Sequence, residues 1–402
     1  MLKQALKGLL VTAAVLATGL SVTPAQSAVF VQCPGDNNGD AVPDIAHDPN
    51  ELKCMHLAAG DGFISMADGK LQYMFGFADL TGVPESQVMD TGLLAANFPA
   101  PTIVLQEGQE FYLTLTNVGM AIRPDLFDPH TVHFHGFPNA SAIFDGVPDA
   151  SISINMGSSL SYYYNLVEPG TYMYHCHVEA TEHMQMGMLG NLYVMPAQNR
   201  LPPGSSLNGH IHQAEHRYVY NDGDGSTRYD VEYPIQIGSF DPVFHDASLN
   251  VQPLPFAEMR DRYAMLNGRG YPDTVNPNPL PPPEDSGSPA PQPVSSLISA
   301  DSGEKILLRI SNLNVTNFYT LATAGLKMRV VGTGARLLRG PDGKDTAYDT
   351  NSVTLGGGEA VDVIIDTAGV VPGTYFLYTT NLNFLSNDGE DFGGMMTEIH
   401  IN

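Results

Sequence analysis

The chain has 402 residues, 43% hydrophobic and 15% charged, which is globular composition and enough length for two domains with separate cores. Its formal net charge of −25 argues against nucleic acid or an anionic membrane as partner and leaves cationic partners and metal ions open. Forty Gly, thirty Pro and no Trp fit the many tight turns of an all-β protein.

Lys3 and Lys7 precede an apolar run from Leu9 to Val22, and small residues follow as far as Ala28. Residues 1–28 therefore read as an export signal, and the mature chain as periplasmic or extracellular. The run is shorter than the roughly 20 residues that span a bilayer, and no other segment qualifies. Export changes the expectation for the cysteines. In the segment 29–59, Cys33 and Cys54 are expected to form a disulfide, which leaves Cys176 without a partner unless a metal takes its sulfur. The same segment holds Asp36, Asn38, Asp40 and Asp44 at alternating positions of one tight loop. It is a candidate calcium site, with a plain acidic turn as the alternative.

From Gly60 to Ala197 the chain is rich in strand signals separated by Gly, Pro and Asn turns, among them 70–77, 111–116 and 162–166. A connection, 198–228, carries His210, His212 and His216; it reads as a polar surface turn in preference to a ligand pair. A second unit, 229–402, is interrupted at 276–296 by a Pro-rich stretch expected to be an extended surface loop without a fixed fold. His47 and His56 are expected to be exposed, and His245 and His400 to be ordinary hydrogen-bonded side chains.

The two units look like a duplication. Gly170-Thr-Tyr-Met-Tyr-His-Cys-His matches Gly373-Thr-Tyr-Phe-Leu-Tyr-Thr-Thr, Gly187-Met188 matches Gly394-Met395, and Leu113-Thr-Leu-Thr-Asn117 resembles Leu308-Arg-Ile-Ser-Asn312. In this alignment His175, Cys176 and His177 fall on Tyr378, Thr379 and Thr380, and His130, His133 and His135 fall near Tyr319, Ala322 and Ala324. The second copy has lost the ligand types apart from Met395.

Two clusters carry chemistry: His130-Thr-Val-His133-Phe-His135, and His175-Cys176-His177 followed by His183 and Met188. A thiolate, two imidazoles and a thioether suit a mononuclear copper electron-transfer site, and His130, Cys176, His183 and Met188 form such a set. On a strand, His133 and His135 share a face, as do His175 and His177, while Cys176 points the other way. One strand would then join two metal centres.

These motifs resemble the multicopper oxidases, the family of laccases and metallo-oxidases. The first cluster matches its His-x-x-His-x-His pattern and the second its His-Cys-His followed by His and Gly-Met; Asp145-Gly-Val-Pro and Leu266-Asn-Gly-Arg-Gly-Tyr-Pro belong to the resemblance as well. The resemblance implies two cupredoxin-type Greek-key β-sandwiches. It makes His130, Cys176, His183 and Met188 type 1 copper ligands, and His133, His135, His175 and His177 members of a type 2/type 3 cluster. Electrons would enter at His183, at the rim of the type 1 site, from a small reductant, a metal ion or a redox protein. They would pass through Cys176, His175 and His177 to oxygen.

Two departures stand out. Seven residues, not five, separate Cys176 from His183, so Glu179-Ala-Thr-Glu182 is expected to form a longer loop beside the site. The family's trinuclear cluster takes eight His, and only four stand in matching positions here. A homo-oligomer, in particular a trimer with sites between subunits, is one way to supply the rest. The competing readings are an electron carrier with type 1 copper alone and, less favoured because His133 and His177 depart from its pattern, a nitrite reductase-like enzyme.

Overall fold

The computed structural model describes residues 31–402 apart from Asp285, so the expected export signal lies outside the described residues. The first sandwich uses eight strands: β1 (Leu52–Ser65), β2 (Leu71–Asp79), β3 (Ala100–Gln106), β4 (Glu110–Gly119), β5 (His133–His135), β6 (Ser159–Asn165), β7 (Gly170–His175) and β8 (Leu189–Met195). They form two sheets, β2-β1-β4-β6 and β3-β8-β7-β5. β1 begins at Leu52, before the boundary at Gly60 expected from sequence, because Leu52–Cys54 continues the parallel ladder with β4. Alternation sets the core: on β4 Phe111, Leu113 and Leu115 point inward, and on β6 Tyr162 and Tyr164 do. Phe134 of β5 stacks on Tyr164 at 4.1 Å between ring centres, fixing the strand whose outward residues are His133 and His135.

The connection contains four two-residue strands, β9 (Ser206–Leu207), β10 (His210–Ile211), β11 (Arg217–Tyr218) and β12 (Arg228–Tyr229). The second sandwich follows with β13 (Val231–Phe240), β14 (Tyr263–Leu266), β15 (Ile298–Ala300), β16 (Lys305–Asn312), β17 (Tyr319–Thr323), β18 (Met328–Thr333), β19 (Arg336–Leu337), β20 (Tyr348–Thr350), β21 (Ser352–Leu355), β22 (Glu359–Asp366), β23 (Gly373–Thr379) and β24 (Met396–Ile401). Its sheets run β14-β13-β16-β22-β18-β19, with β20 on β18, and β15-β24-β23-β17-β21.

The duplication seen in the sequence recurs in hydrogen bonding. Cys176 N–H donates to the Met188 carbonyl, and Thr379 N–H donates to the Met395 carbonyl. His133 faces His175 across β5 and β7, as Ala322 faces Tyr378 across β17 and β23. Asn117 donates to the Ile154 carbonyl and accepts from Gly119 N–H; Asn312 donates to the Leu355 carbonyl and accepts from Asn314 N–H.

All six residues of β7 are buried because the second sandwich covers its outer side. Arg309 of β16 and Asp362 of β22, both fully buried, meet there: Thr171 Oγ1 donates to Asp362 Oδ1 at 2.5 Å and Tyr220 Oη to Oδ2 at 2.6 Å.

The Pro-rich stretch does not behave as a loose surface loop. Its Gln292 accepts from Ser65 N–H and donates to the Gly268 carbonyl, and the Pro291 carbonyl accepts from Phe98 N–H. The buried Arg269 guanidinium donates to the carbonyls of Asn276, Asn278 and Gln292. Pro removes backbone donors but leaves carbonyls, and one buried cation collects them. Cys33 and Cys54 are disulfide-bonded, as expected. Among the described residues no helix is long and apolar enough to cross a membrane.

Candidate metal centre

β7 ends at His175, and the Cys176–Met188 hydrogen bond holds the next residue in line with the ladder. Successive side chains on an extended strand point to opposite sides. Cys176 therefore turns into the sandwich, fully buried, while His175 turns toward β5.

Two imidazoles meet the thiol. His183 Nδ1 lies 3.2 Å and His130 Nδ1 3.7 Å from Cys176 Sγ. His130 is pinned by exchanging both backbone hydrogen bonds with Ile154. His183 rides on a helix, Ala180–Gln185, where a loop was expected; Glu179 precedes it in the left-handed region at φ 44°. Donor atoms around one ion with bonds of about 2.0–2.3 Å sit about 3.3–3.7 Å apart at near-tetrahedral angles, which is the observed spacing. The Nε2 atoms of both His are buried without a hydrogen-bond partner, so the rings are held for what their Nδ1 atoms face. Burial alone would raise the Cys176 thiol, but the two imidazoles hold it well below the ordinary thiol range. Burial works against charging His183, yet the Cys176 thiolate raises it to about 10, so an imidazolium balances the thiolate where no metal does. Met188 is also fully buried, and its N–H donates to the His183 carbonyl.

His133, His135 and His175 bring one nitrogen each to within 4.8 Å of one another. His135 Nδ1 and His175 Nε2 are 3.3 Å apart, and the His177 ring lies 5.1 Å from that of His133. Hydrogen bonds select the donor atoms: His175 Nδ1–H donates to the Cys176 carbonyl at 2.8 Å and His133 Nδ1–H to the Asp145 carbonyl at 2.5 Å, leaving Nε2 free on each. Burial lowers the pKa of all three, that of His175 to about 3, so they stay neutral and ligand-ready. The Asp145 carbonyl is a partner that sequence reasoning missed, although Asp145-Gly-Val-Pro marked the segment.

Four imidazoles suit one or two ions. The Gly356-Gly-Gly358 loop of the second sandwich comes up against His135, where a Cβ at Gly358 would sit 2.7 Å from Nε2. That loop offers no side-chain donor.

His183 is not at a rim: it is fully buried, 3.9 Å behind Asp128 Oδ2. In front lies an acidic cavity of about 250 Å³, lined by Asp128, Glu179, Glu182, Arg123, Asn250 and Phe256. Burial pushes Glu182 up to about 7, so it is not a freely solvated loop residue.

Other expectations need correction. His56 is buried and bonded to Thr116 Oγ1. His210, His212 and His216 are not a surface turn, since the last two are buried; nor does any of the three contact the rings around His133. Asp36 accepts from the N–H groups of Gly39, Asp40 and Ala41, and Asp44 from Asn37, so the acidic loop is folded by its own hydrogen bonds. These contacts fit the plain acidic turn that the sequence also allowed.

Sequence models of the multicopper oxidases match residues 81–199 and 256–398, together about two thirds of the chain. The chain belongs to the multicopper oxidase family. Its sandwiches are cupredoxin domains, and copper is the family's cofactor. A laccase of Aspergillus fumigatus is 31% identical over 129 residues, 32% of this chain and 20% of its own length. A multicopper oxidase of Mycobacterium tuberculosis is 31% identical over 91 residues, 23% of this chain and 16% of its own. The matched segments thus span about a fifth or less of those relatives. Among solved structures, the blue copper oxidase of Nitrosomonas europaea superposes with a TM-score of 0.60 at 22% identity, covering 87% of this chain and 85% of that one. A copper nitrite reductase of Thermus scotoductus gives 0.53 at 16% identity, over 86% of this chain and 61% of that one.

Proposed function

We propose that this multicopper oxidase is an exported copper oxidoreductase that takes electrons from a small reductant or metal ion and delivers them to oxygen. One observation carries the reading: Cys176 faces His130 and His183 on one side of its strand, while its neighbour His175 faces His133 and His135 on the other. The Nδ1 atoms of His130 and His183 with the sulfur of Cys176 fit a type 1 copper, to which buried Met188 would add its thioether, and His133, His135, His175 and His177 fit further copper. Copper at these positions would supply one-electron redox chemistry.

The chain's own residues do the rest. The Cys176 carbonyl accepts from His175 Nδ1, so a covalent path and a hydrogen bond both link the two donor sets. Burial of Cys176 and His183 excludes water from the first set. Asp128 and Glu179 line the cavity before His183 with carboxylates, which favours a cationic reductant there.

Only four His stand at the second set, and the equivalent positions of the second sandwich are Ala322, Ala324, Tyr378 and Thr380. An assembly that sets the second sandwich of one subunit against the first of another would add no His at these positions, whereas one that brings two first sandwiches together would reach eight. The second reading, an electron carrier with type 1 copper alone, draws on that count. Three converged imidazoles, those of His133, His135 and His175, argue against it, since without a metal their nitrogens would need other partners. Cys176→Ser separates the parts: oxygen consumption should vanish while copper at the second set remains. Oxygen consumption at the wild-type rate would overturn the route through Cys176.

A further inference from the structure

The connection between the sandwiches holds a cluster that the proposed function does not use. His210 Nε2 lies 3.2 Å from His216 Nδ1 and 3.2 Å from Tyr218 Oη, and His216 Nδ1 lies 3.4 Å from the same Oη. His212 Nδ1 approaches that oxygen from 3.1 Å. We propose that His210, His216 and Tyr218, with His212 beside them, form a separate binding site for a divalent transition ion of the zinc or copper(II) class.

The triangle carries the inference. Two ring nitrogens and a phenol oxygen stand 3.2–3.4 Å apart, and a tetrahedral ion with bonds of about 2.0–2.1 Å needs its ligands about 3.3 Å apart. Protons cannot fill the same role. For the two nitrogens to attract each other, one must present a lone pair, so at most two protons serve three contacts. One ion engages all three atoms, the phenol giving up its proton as it binds, with His212 Nδ1 an acceptor 3.1 Å from the oxygen. Imidazole donors select zinc, copper or nickel over calcium and magnesium, which take oxygen ligands.

The surroundings hold the rings in place. His212, His216 and Tyr218 are buried, while His210 is half-exposed and leaves a way in for an ion. Gly225, at φ +74°, lies against the His210 ring, where a Cβ would come within 2.6 Å of it. That glycine is itself fixed because Asp222 accepts from the N–H groups of Asp224, Gly225 and Thr227. An ion here fastens the β9–β10 hairpin to β11 in the segment that joins the two sandwiches.

The test titrates zinc(II) against a chromophoric chelator into metal-free protein, comparing wild type with His210→Gln/His216→Gln. Wild type should take up one equivalent more than the double variant. Copper loading of both proteins provides a second reading: wild type should hold one more copper than the double variant, with the same blue absorption per subunit. Equal zinc uptake and equal copper content in the two proteins would overturn the proposal.

Discussion

A methyl group at Gly358 should separate the two halves of the copper centre. The added Cβ meets His135 Nε2 at 2.7 Å and Cε1 at 3.0 Å. Ordinary contact lies at about 3.5 Å, so the ring must withdraw by roughly 0.8 Å. His135 cannot yield freely, because its Nδ1 already stands 3.3 Å from His175 Nε2. Ligands need placement within about 0.5 Å, and disturbing a ligand's support typically costs about 10–100-fold in metal affinity. Gly358→Ala should therefore weaken copper at the second set by that factor and leave the blue absorption of the first intact. The left-handed backbone at Gly358, φ +89°, adds strain of about 1–2 kcal/mol. Gly343→Ala controls for it, having φ +80° and nothing within 4 Å of the new Cβ. Copper titration followed by EPR reads both sets. Equal copper binding by the two variants would refute a ligand role for His135.

Three further outcomes follow from particular contacts. Asp362→Asn removes the charge that balances buried Arg309; because Glu232 still holds Arg309 at 2.8 Å, the loss should fall near the low end for a broken buried pair, about 3 kcal/mol, read by urea unfolding. Gln185 donates to Asp261 Oδ1 at 2.8 Å and accepts from Asp241 N–H, so it positions the helix bearing His183. Gln185→Ala should keep one blue copper but shift its absorption maximum and reduction potential; unchanged spectra would show that the helix needs no such support. His175 titrates at about 3, below the ordinary imidazole value of about 6.5, because it is buried. The unfolded chain then takes up the proton first, so copper-free protein should lose stability as pH falls from about 6.5 toward about 3, and urea midpoints at pH 7 and pH 5 check this.

Much of the centre was legible because its chemistry is local in sequence. His175, Cys176 and His177 are adjacent, and strand alternation alone sends their side chains to opposite sides. The repeat was legible too, since Ala322 and Tyr378 pair as His133 and His175 do. What escaped depends on partners far along the chain. The Pro-rich stretch looked unstructured because it lacks donors, and distant Arg269 and Phe98 show where its carbonyls go. The helix at Ala180–Gln185 is too short for periodicity to show, and Gln185 is held from Asp241 and Asp261. His210, His212 and His216 lacked the recognised spacing, and Tyr218, around which they gather, carried no signal in the sequence.

Copper per subunit on copper-loaded protein, with visible and EPR spectra of the same sample, tests the central claim most directly. Protein carrying His210→Gln/His216→Gln keeps the connection's cluster out of the count. The two-set reading predicts more than one copper, with a type 1 signal and either a type 2 signal or EPR-silent coupled copper. One copper with a type 1 signal alone would contradict it and make the chain an electron carrier.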